Sequence, residues 1–342
     1  MHEATYARVV SGPASLARVP AEVAALDLHR VLIIAGGSAS AAAEQVRRLL
    51  GRRSCGRFGQ VAQHVPERLV AAAVAQAGDA GVDGLCCVGG GSATGLAKAL
   101  GVTLDVPIVA VPTTYAGSEA TSVFGVTGQR KRTVTDPRAR PRVVLYDPTL
   151  TTGLPARVTA ASAFNALAHA VTALAHPTYE PVARLYAGEA VRLITGALPV
   201  AVRSPDDLTA RGDLLWAAWL AGSALAVTGT GLHHRLCHVL GGSFGLTHAD
   251  VHAVLLPHTV IHDESLDLAD ADRVLGGDAG AALRDLARRS GTPRDLAAAG
   301  LPADALDPAA AEAARTIGTY DQAWFRALLD RAYHHHTERT PS

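Results

Sequence analysis

The sequence predicts an α/β nucleotide-binding domain with a mostly parallel, Rossmann-like sheet, followed by an all-α domain. Two observations predict the first part: short apolar runs alternate with Ala-rich stretches of helical spacing, and several of the runs end in glycines. The second part is predicted because the chain after residue 150 is rich in Ala and Leu and has no convincing strand pattern. Strands that are apolar on both faces are typical of parallel sheets covered by helices. We therefore expect domains at residues 1–150 and 151–342.

Four apolar runs in the first domain are the predicted strands, at residues 30–37, 84–92, 108–114 and 142–148. The stretches AAAEQVRRLLG and ERLVAAAVAQAG lie between them and space their apolar residues as one face of a helix does. Segment 117–135 is expected to form a hairpin-like excursion before the last of these strands.

Bulk composition excludes several classes of protein. The 31 basic residues balance the 31 acidic ones, so no basic surface for nucleic acid is indicated. No apolar run reaches the ~20 residues needed to cross a bilayer, and the start, MHEATYARVV, lacks the basic-then-apolar order of a signal peptide. The four cysteines have no metal or redox spacing. We expect a cytoplasmic protein with no nucleic-acid partner and no membrane partner.

Three glycines, Gly89, Gly90 and Gly91, stand between a predicted strand and a predicted helix in VGGGSATGLAKAL. Glycines at this place let backbone N–H groups approach a pyrophosphate, whose charge the helix N-terminus favours. A tight strand-to-helix turn would explain the same glycines, and the fingerprint G-x-G-x-x-G is absent. The earlier turn AGGSAS (35–40) has no acidic residue that would repel a 2′-phosphate, so NADH and NADPH both remain open.

The segment VPTTYAGSEATS (111–122) is dense in hydroxyl groups directly after a predicted strand. Its hydroxyl side chains either line a cofactor or satisfy the backbone of the loop.

Lysine is rare in this chain: only Lys98 and Lys131 occur among 31 basic residues. A chain that otherwise uses arginine is expected to keep lysine where a compact ammonium group is needed, with an ordinary surface position as the alternative.

Five histidines fall within residues 231–252, and their spacing predicts a shared site. His234 and His238 are four residues apart, and Asn165 and His169 repeat that spacing in another helical stretch. Residues four apart share one face of a helix. Two such pairs, with His248 beyond a glycine turn, indicate one polar site on otherwise apolar helices. His233 and His252 lie off these faces, where contact with solvent or support for the site is expected.

This set of side chains is compatible with two kinds of chemistry. A metal site would use Asn165, His169, His234 and His248, because imidazole binds zinc, iron, nickel or copper. The asparagine is neutral, however, and compensates a divalent ion less than a carboxylate would. Alternatively the histidines act without metal, polarising a substrate and donating protons near neutral pH.

These motifs carry a resemblance to the iron-containing alcohol dehydrogenase superfamily, and within it to the maleylacetate reductase branch. The phosphate loop of the family looks like VGGGSATGLAKA. The reductase branch is matched by VPTTYAGSEAT, SAFNALAHAV and GLHHRLCHVLGGSFGLTHADVHAVLLPH. Asparagine at position 165, where alcohol dehydrogenases normally have aspartate, is itself typical of that branch. The resemblance implies the two domains described above, usually assembled as a homodimer.

The implied reaction is reduction of maleylacetate (4-oxohex-2-enedioate) to 3-oxoadipate by NADH or NADPH. A hydride adds to the carbon–carbon double bond conjugated to the ketone, and an active-site histidine supplies the proton. Iron or zinc could bind at the metal-ligand positions, but the interpretation we favour does not require a metal. The developing enolate charge would then be stabilised by the histidines.

The resemblance also assigns roles to individual residues. The implied catalytic residues are His238, for proton transfer, with His169 and His248. The implied cofactor-binding residues are Gly89, Gly90, Gly91, Ser92, Thr113, Thr114, Ser118 and Thr121. The metal-ligand positions are those of Asn165, His169, His234 and His248. A dicarboxylate or enone substrate implies the contacts Tyr115, Lys131 and Arg235, two of them cationic.

Three departures from the branch fall around the expected substrate pocket: the runs Ala120–Phe124 and Ile261–Asp263, and TIGTYDQAWF in place of a C-terminal motif. They leave two alternatives open. The first is an oxidoreductase on the same scaffold that acts on another enone or carbonyl in a specialised biosynthetic pathway. The second is a homologue that has lost redox activity and serves as a non-redox enzyme or binding protein.

Overall fold

Residues 7–128, 131–178 and 180–334 are described by the structure, a computed structural model, with the side chains of Lys131, His248 and Ala249 left out. Residues 1–6, at the start of the N-terminal segment without signal-peptide character, therefore lie outside the described residues. The chain divides into two compact units, one of residues 1–154 with 206–226 and the other of residues 155–205 with 227–342. The domain boundary after residue 150 stays a prediction.

The described residues contain eight strands, thirteen α-helices and seven short 3-10 helices. The strands are β1 (Arg8–Ser11), β2 (Val31–Ile34), β3 (Ser54–Phe58), β4 (Gly84–Gly89), β5 (Ile108–Pro112), β6 (Val123–Thr127), β7 (Lys131–Thr135) and β8 (Val143–Tyr146). The helices are α1 (Val19–Ala25), α2 (Ser40–Leu50), α3 (Glu67–Asp79), α4 (Gly91–Leu104), α5 (Ala156–Leu174), α6 (Pro181–Arg203), α7 (Leu208–Thr228), α8 (Leu232–Ser243), α9 (His248–His262), α10 (Ala269–Leu275), α11 (Ala279–Arg289), α12 (Leu306–Ile317) and α13 (Gln322–His334).

A six-stranded sheet with the order β1-β8-β5-β4-β2-β3 lies at the centre of the first unit, and all of its pairs are parallel. The strands β6 and β7 pair antiparallel as a separate hairpin. Both the α/β class and the hairpin-like excursion are therefore confirmed. Cys86 and Cys87 on β4 are 0% and 2% exposed, as their position in an apolar run indicates.

Residues Leu208–Thr228 form a helix, α7, as the sequence predicts. This helix packs within the first unit, whereas its sequence neighbours α6 and α8 belong to the second. The reason is a close approach of two backbones. A Cβ atom built on Gly222 of α7 would lie 2.1 Å from the carbonyl oxygen of Gly117, which follows β5. Gly117 has a φ of +75°, a conformation that favours glycine. Two glycines thus let the segment after β5 lie directly on α7.

The second unit contains helices and no strand among its described residues, and the helices of the predicted histidine site, α5, α8 and α9, pack together. Helix α9 contacts both α5 and α8. Buried apolar residues of α8, α9, α12 and α13 form one continuous core. This packing gives α5, α8 and α9 a common buried junction.

Helix α6 is long and apolar enough to cross a bilayer by length and composition. It carries Arg184, Glu189 and Arg192, and 44% of its most apolar window is buried within the protein. Core helices of soluble proteins share this length and composition. Helix α6 is therefore consistent with a packed helix of the second unit.

Candidate active site

The glycine loop connects β4 to α4 in the first unit. Gly89 ends β4 with a φ of +147°, which L-residues with side chains rarely adopt, and Gly90 precedes the first residue of α4. No described side chain caps the start of this helix. Its first backbone N–H groups are therefore left without intrahelical acceptors, and Gly91 is exposed. Such an N-terminus suits an anionic oxygen.

The hydroxyl-rich loop after β5 lies directly beside the glycine loop. The N–H of Thr113 donates to the carbonyl oxygen of Gly89 over 3.0 Å. A Cβ atom on Gly90 would lie 2.9 Å from Thr114 Oγ1, so a larger residue here would force the Thr114 side chain to shift. The structure thus brings the two predicted cofactor loops together. Ser92, Thr113 and Thr114 are all partly exposed there.

We expect Gly91→Asp to weaken nucleotide binding at least about tenfold, because a carboxylate at the start of α4 would repel a pyrophosphate. The fold should tolerate the change, since a Cβ atom at this exposed position would lie 3.7 Å from its nearest neighbour, Ala116 Cβ. Dissociation constants for NADH and NADPH, measured by fluorescence titration, check this. Gly91→Ala is the uncharged control, and equal affinity of the Asp variant and the wild type would remove this loop from nucleotide binding.

Lys98 on α4 anchors the far end of the hydroxyl-rich loop. Its side chain is 0% exposed, and its ammonium donates to the Ser118 carbonyl (2.5 Å), Thr121 Oγ1 (2.9 Å) and the Val123 carbonyl (2.9 Å). Burial, opposed by the nearby Glu119 carboxylate, lowers the pKa of Lys98 to about 7. Thr121 is 2% exposed, and its hydroxyl accepts from Lys98. Its side chain therefore stabilises the buried side of the loop.

Tyr115 and Arg211 hold the middle of the same loop. Both are 0% exposed, and Arg211 Nη1 of α7 donates to the Tyr115 hydroxyl over 2.9 Å. Tyr115 was predicted to contact the substrate; the structure buries its side chain in the first unit, and the contact stays a prediction. Arg211 was not singled out in the sequence, although an arginine among the apolar residues of α7 was the available signal.

A second buried pair lies behind the loop. The Tyr146 hydroxyl donates to Glu119 Oε1 over 2.6 Å, and both residues are 1% exposed. Burial raises the pKa of Glu119, opposed by this hydrogen bond. Sequence reasoning missed Glu119 as a support of the loop because its partner lies on β8, 27 residues away.

Helix α8 presents two neighbouring stripes of histidine and cysteine side chains in the second unit. His233 and Cys237 are four residues apart on one stripe, and His234 and His238 are four apart on the next. His233, His234 and Cys237 are buried, whereas His238 is exposed. Only the second stripe was expected to be functional.

Two predicted site residues, His169 of α5 and His234 of α8, stack face to face. Their ring centroids are 4.1 Å apart and their planes differ by 5°. Both ring nitrogens of His234 are buried and lack a hydrogen-bond partner among the described residues. Burial, followed by the neighbouring His169 and His252, holds the pKa of His234 well below its ordinary value. His234 is therefore a neutral imidazole at physiological pH.

The depressed pKa of His234 predicts a loss of stability in acid. As the pH falls below about 6.5, the unfolded chain binds a proton at this side chain and the folded protein does not, so the free energy of unfolding decreases. Above that pH the contribution is constant. Denaturant unfolding of chelator-treated protein at about pH 5.5 and about pH 8 measures the decrease. His234→Gln should show a smaller decrease, and an unchanged one would contradict the assignment.

His233 and His252 are not solvent residues: they are 4% and 0% exposed. His233 Nε2 lies 2.9 Å from His252 Nδ1, and His233 Nδ1 lies 2.8 Å from the hydroxyl oxygen of Thr259. Cys237 Sγ lies 3.6 Å from each of these two facing nitrogens. The sequence did not indicate this cluster, because it forms only when α9 packs on α8.

The metal-ligand positions implied by the resemblance do not fit a shared ion in the described geometry. The lone pair of an imidazole nitrogen lies in the plane of its ring. One ion cannot lie in the planes of both His169 and His234, because the two rings are parallel and stacked. Asn165, one turn before His169 on α5, contributes a neutral oxygen and no compensating charge. We therefore derive no catalytic step through a metal at these positions.

The other predicted site residues have the following places. Asn165 is half-buried on α5. His248 begins α9 and Lys131 begins β7, but their side chains lie outside the described part of the chain. Arg235 is exposed on α8, and its guanidinium donates to Thr319 Oγ1 over 3.0 Å.

Comparisons with known proteins agree with this architecture. A family model described as iron-containing alcohol dehydrogenase matches residues 7–148, and one described as the C-terminal part of the Fe-containing alcohol dehydrogenase family matches residues 159–323. Maleylacetate reductase 2 of Cupriavidus pinatubonensis is 48% identical over 299 residues, which are 85% of this chain and 83% of that protein. Maleylacetate reductase of Burkholderia cepacia is 41% identical over 97% of both chains.

Solved structures give the same result. The crystal structure of maleylacetate reductase from Agrobacterium tumefaciens has a TM-score of 0.89 and 41% identity, covering 97% of this chain and 99% of that one. A putative alcohol dehydrogenase from Ralstonia eutropha JMP134 has a TM-score of 0.91 and 42% identity, covering 97% of both chains. The chain belongs to the iron-containing alcohol dehydrogenase family and, within it, to the branch of the maleylacetate reductases.

Proposed function

We propose that this protein is an NAD(P)H-dependent maleylacetate reductase that forms 3-oxoadipate. The observation that supports it most is the 41% identity to maleylacetate reductase of Burkholderia cepacia over 97% of both chains, a span long enough to include the glycine loop and helices α5, α8 and α9. The buried, neutral His234 beside the exposed His238 gives those helices a polar surface suited to a reaction that needs a proton donor.

The first unit supplies the nucleotide site in this proposal. The open N-terminus of α4, with Gly90, Gly91 and Ser92, receives the pyrophosphate, and Thr113 and Thr114 lie beside it. The buried side chains of Lys98 and Arg211 stabilise the loop after β5 through hydrogen bonds. No acidic residue follows β2 in AGGSAS, so we propose that NADPH is accepted as well as NADH.

The second unit supplies the proton and the stabilisation of charge. Hydride addition to the β-carbon of the enone makes an enolate, and His238 delivers a proton to the α-carbon. His169 and His248 complete the proposed catalytic set, and their imidazole N–H groups stabilise the enolate oxygen. Because burial lowers the pKa of His234 and keeps it neutral, this residue adds no positive charge beside His238.

The substrate carries two carboxylates, and Arg235 and Lys131 are the cations we propose for them. Arg235 is exposed while tied to Thr319, so its guanidinium is partly oriented. We further propose a cytoplasmic homodimer, as the composition and the resemblance imply.

Transfer of deuteride from 4-deuterated NADH to maleylacetate tests the proposed reaction. Reduction of the double bond places deuterium on the carbon next to a carboxylate, in 3-oxoadipate. The alternative of a carbonyl reductase on this scaffold places it on a carbon that bears a hydroxyl group. NMR of the product distinguishes the two, and deuterium on a hydroxyl-bearing carbon would reject the proposed function in favour of that alternative.

A further inference from the structure

The proposed reaction makes no use of a buried cluster formed by His233, Cys237 and His252. His233 and Cys237 lie one helical turn apart on α8, and His252 faces them from α9. The exposed fractions of the three residues are 4%, 0% and 0%. One nitrogen of each histidine and the sulfur converge on one another within 4.8 Å. No other such group of His, Cys, Asp and Glu occurs in the described part of the chain.

The distances within this cluster are close to those of a tetrahedral zinc-type site. Zinc–nitrogen bonds of about 2.05 Å and zinc–sulfur bonds of about 2.3 Å separate nitrogen and sulfur ligands by about 3.6 Å, and two nitrogens by about 3.3 Å. The two sulfur–nitrogen distances observed are both 3.6 Å. The nitrogen–nitrogen distance is 2.9 Å, so a small rotation of one ring would complete the geometry.

Thr259 prepares His233 as a ligand. Its hydroxyl donates to the carbonyl of Leu255 over 3.0 Å, so its oxygen accepts the proton on His233 Nδ1, 2.8 Å away. This bond fixes the tautomer in which His233 Nε2, the nitrogen of the cluster, is unprotonated and accepts from His252 Nδ1. Histidines that bind metals almost always donate their other N–H in this way.

A narrow cavity reaches the cluster from the side of His233. Its lining includes Thr172, His233, Thr259 and Asp263, and Asp263 is its carboxylate. An acidic group beside the path favours the entry of a cation. The cluster is thus buried and yet approachable.

We propose that His233, Cys237 and His252 bind a divalent d-block cation of zinc type, at a site separate from Asn165, His169, His234 and His248. Imidazole and thiolate are the ligands such cations prefer. On binding, Cys237 releases its proton to solvent and His252 carries its proton on Nε2 instead of Nδ1. Two nitrogens and one sulfur then coordinate the ion, and water fills the fourth position. The bound ion ties α8 to α9 and fixes the stripe that bears His234 and His238.

Titration of the chelator-treated full chain with Co²⁺ tests this proposal. We expect one equivalent to bind with a thiolate-to-cobalt charge-transfer band in the near ultraviolet. Cys237→Ser and His252→Gln should abolish that band. Cys55→Ser, at a half-buried cysteine of the first unit, and His169→Gln, at a family metal position, should retain it. Circular dichroism shows whether each variant is folded.

Extended X-ray absorption fine structure, measured at the zinc edge of the zinc-loaded wild type, tests the proposal without any variant. We expect one sulfur neighbour at about 2.3 Å and nitrogen or oxygen neighbours at about 2.0 Å. Failure to bind zinc or cobalt, or a bound ion without a sulfur neighbour, would overturn the proposal. Loss of the cobalt band in folded His169→Gln would show that the bound ion depends on a family metal position, and it would overturn the proposal of a separate site as well.

Discussion

His238→Ala is expected to lower kcat by about 10²- to 10⁴-fold while the dissociation constants of NADH and NADPH stay within about twofold of the wild type. The imidazole is the exposed member of the stripe that it shares with the buried His234. Without it the enolate left by hydride transfer must take its proton from water. Nucleotide binding depends on the loops after β4 and β5 and should not change.

Steady-state kinetics with maleylacetate and fluorescence titration with each nucleotide measure these two effects. His29→Ala, at an exposed histidine of the first unit, is the matched control and should keep the wild-type kcat. A kcat within about threefold of the wild type for His238→Ala would remove this residue from the proton-transfer step. A parallel loss of nucleotide affinity would indicate a structural role instead.

Gly222→Ala is expected to destabilise the protein by about 3 kcal/mol, which is large for the addition of one methyl group. The new Cβ atom would lie 2.1 Å from the carbonyl oxygen of Gly117 and 3.0 Å from Ala120 Cβ. Because the obstructing atom is backbone, relief requires a shift of the loop after β5 or of α7. We therefore also expect weaker nucleotide binding by this variant.

Gly212→Ala, on the same helix, is the matched control. A Cβ atom there has no heavy atom within 4 Å, so alanine should stabilise the helix by about 0.5–1 kcal/mol. Denaturant unfolding of the two variants compares a glycine kept for close packing with one that has open space. Equal stability of Gly222→Ala and the wild type would contradict the close approach of α7 to the loop.

The central strands could be predicted from the sequence and the edge strands could not. Strands β2, β4, β5 and β8 lie inside the sheet, are buried along their whole length and read as continuous apolar runs. Strands β1 and β3 are at the two edges, where half-exposed residues break the pattern. Both were missed for that physical reason.

The place of α7 shows a similar limit. Its composition is that of the other helices after residue 150, and no periodicity distinguishes it. What assigns it to the first unit is the approach of Gly222 to Gly117 and the bond from Arg211 to Tyr115. These contacts span about a hundred residues of sequence, so local patterns carry no signal for them.

The side chains of the candidate site show the same limit. Spacing by four residues identified the stripe of His234 and His238, because a single helix defines it. The neighbouring stripe of His233 and Cys237 has the same spacing, but its partner His252 comes from another helix. Lys98 was noted as a rare lysine, and its three oxygen acceptors justify a compact ammonium group.

Loss of nicotinamide absorbance on adding maleylacetate to the purified protein, first with NADH and then with NADPH, tests the central claim most directly. We expect rapid loss with at least one nucleotide and stoichiometric formation of 3-oxoadipate. Nucleotide that binds but is not oxidised by maleylacetate would contradict the proposed reaction while leaving the nucleotide site intact. Failure to bind either nucleotide would contradict the account of the glycine loop as well and favour a scaffold without redox activity.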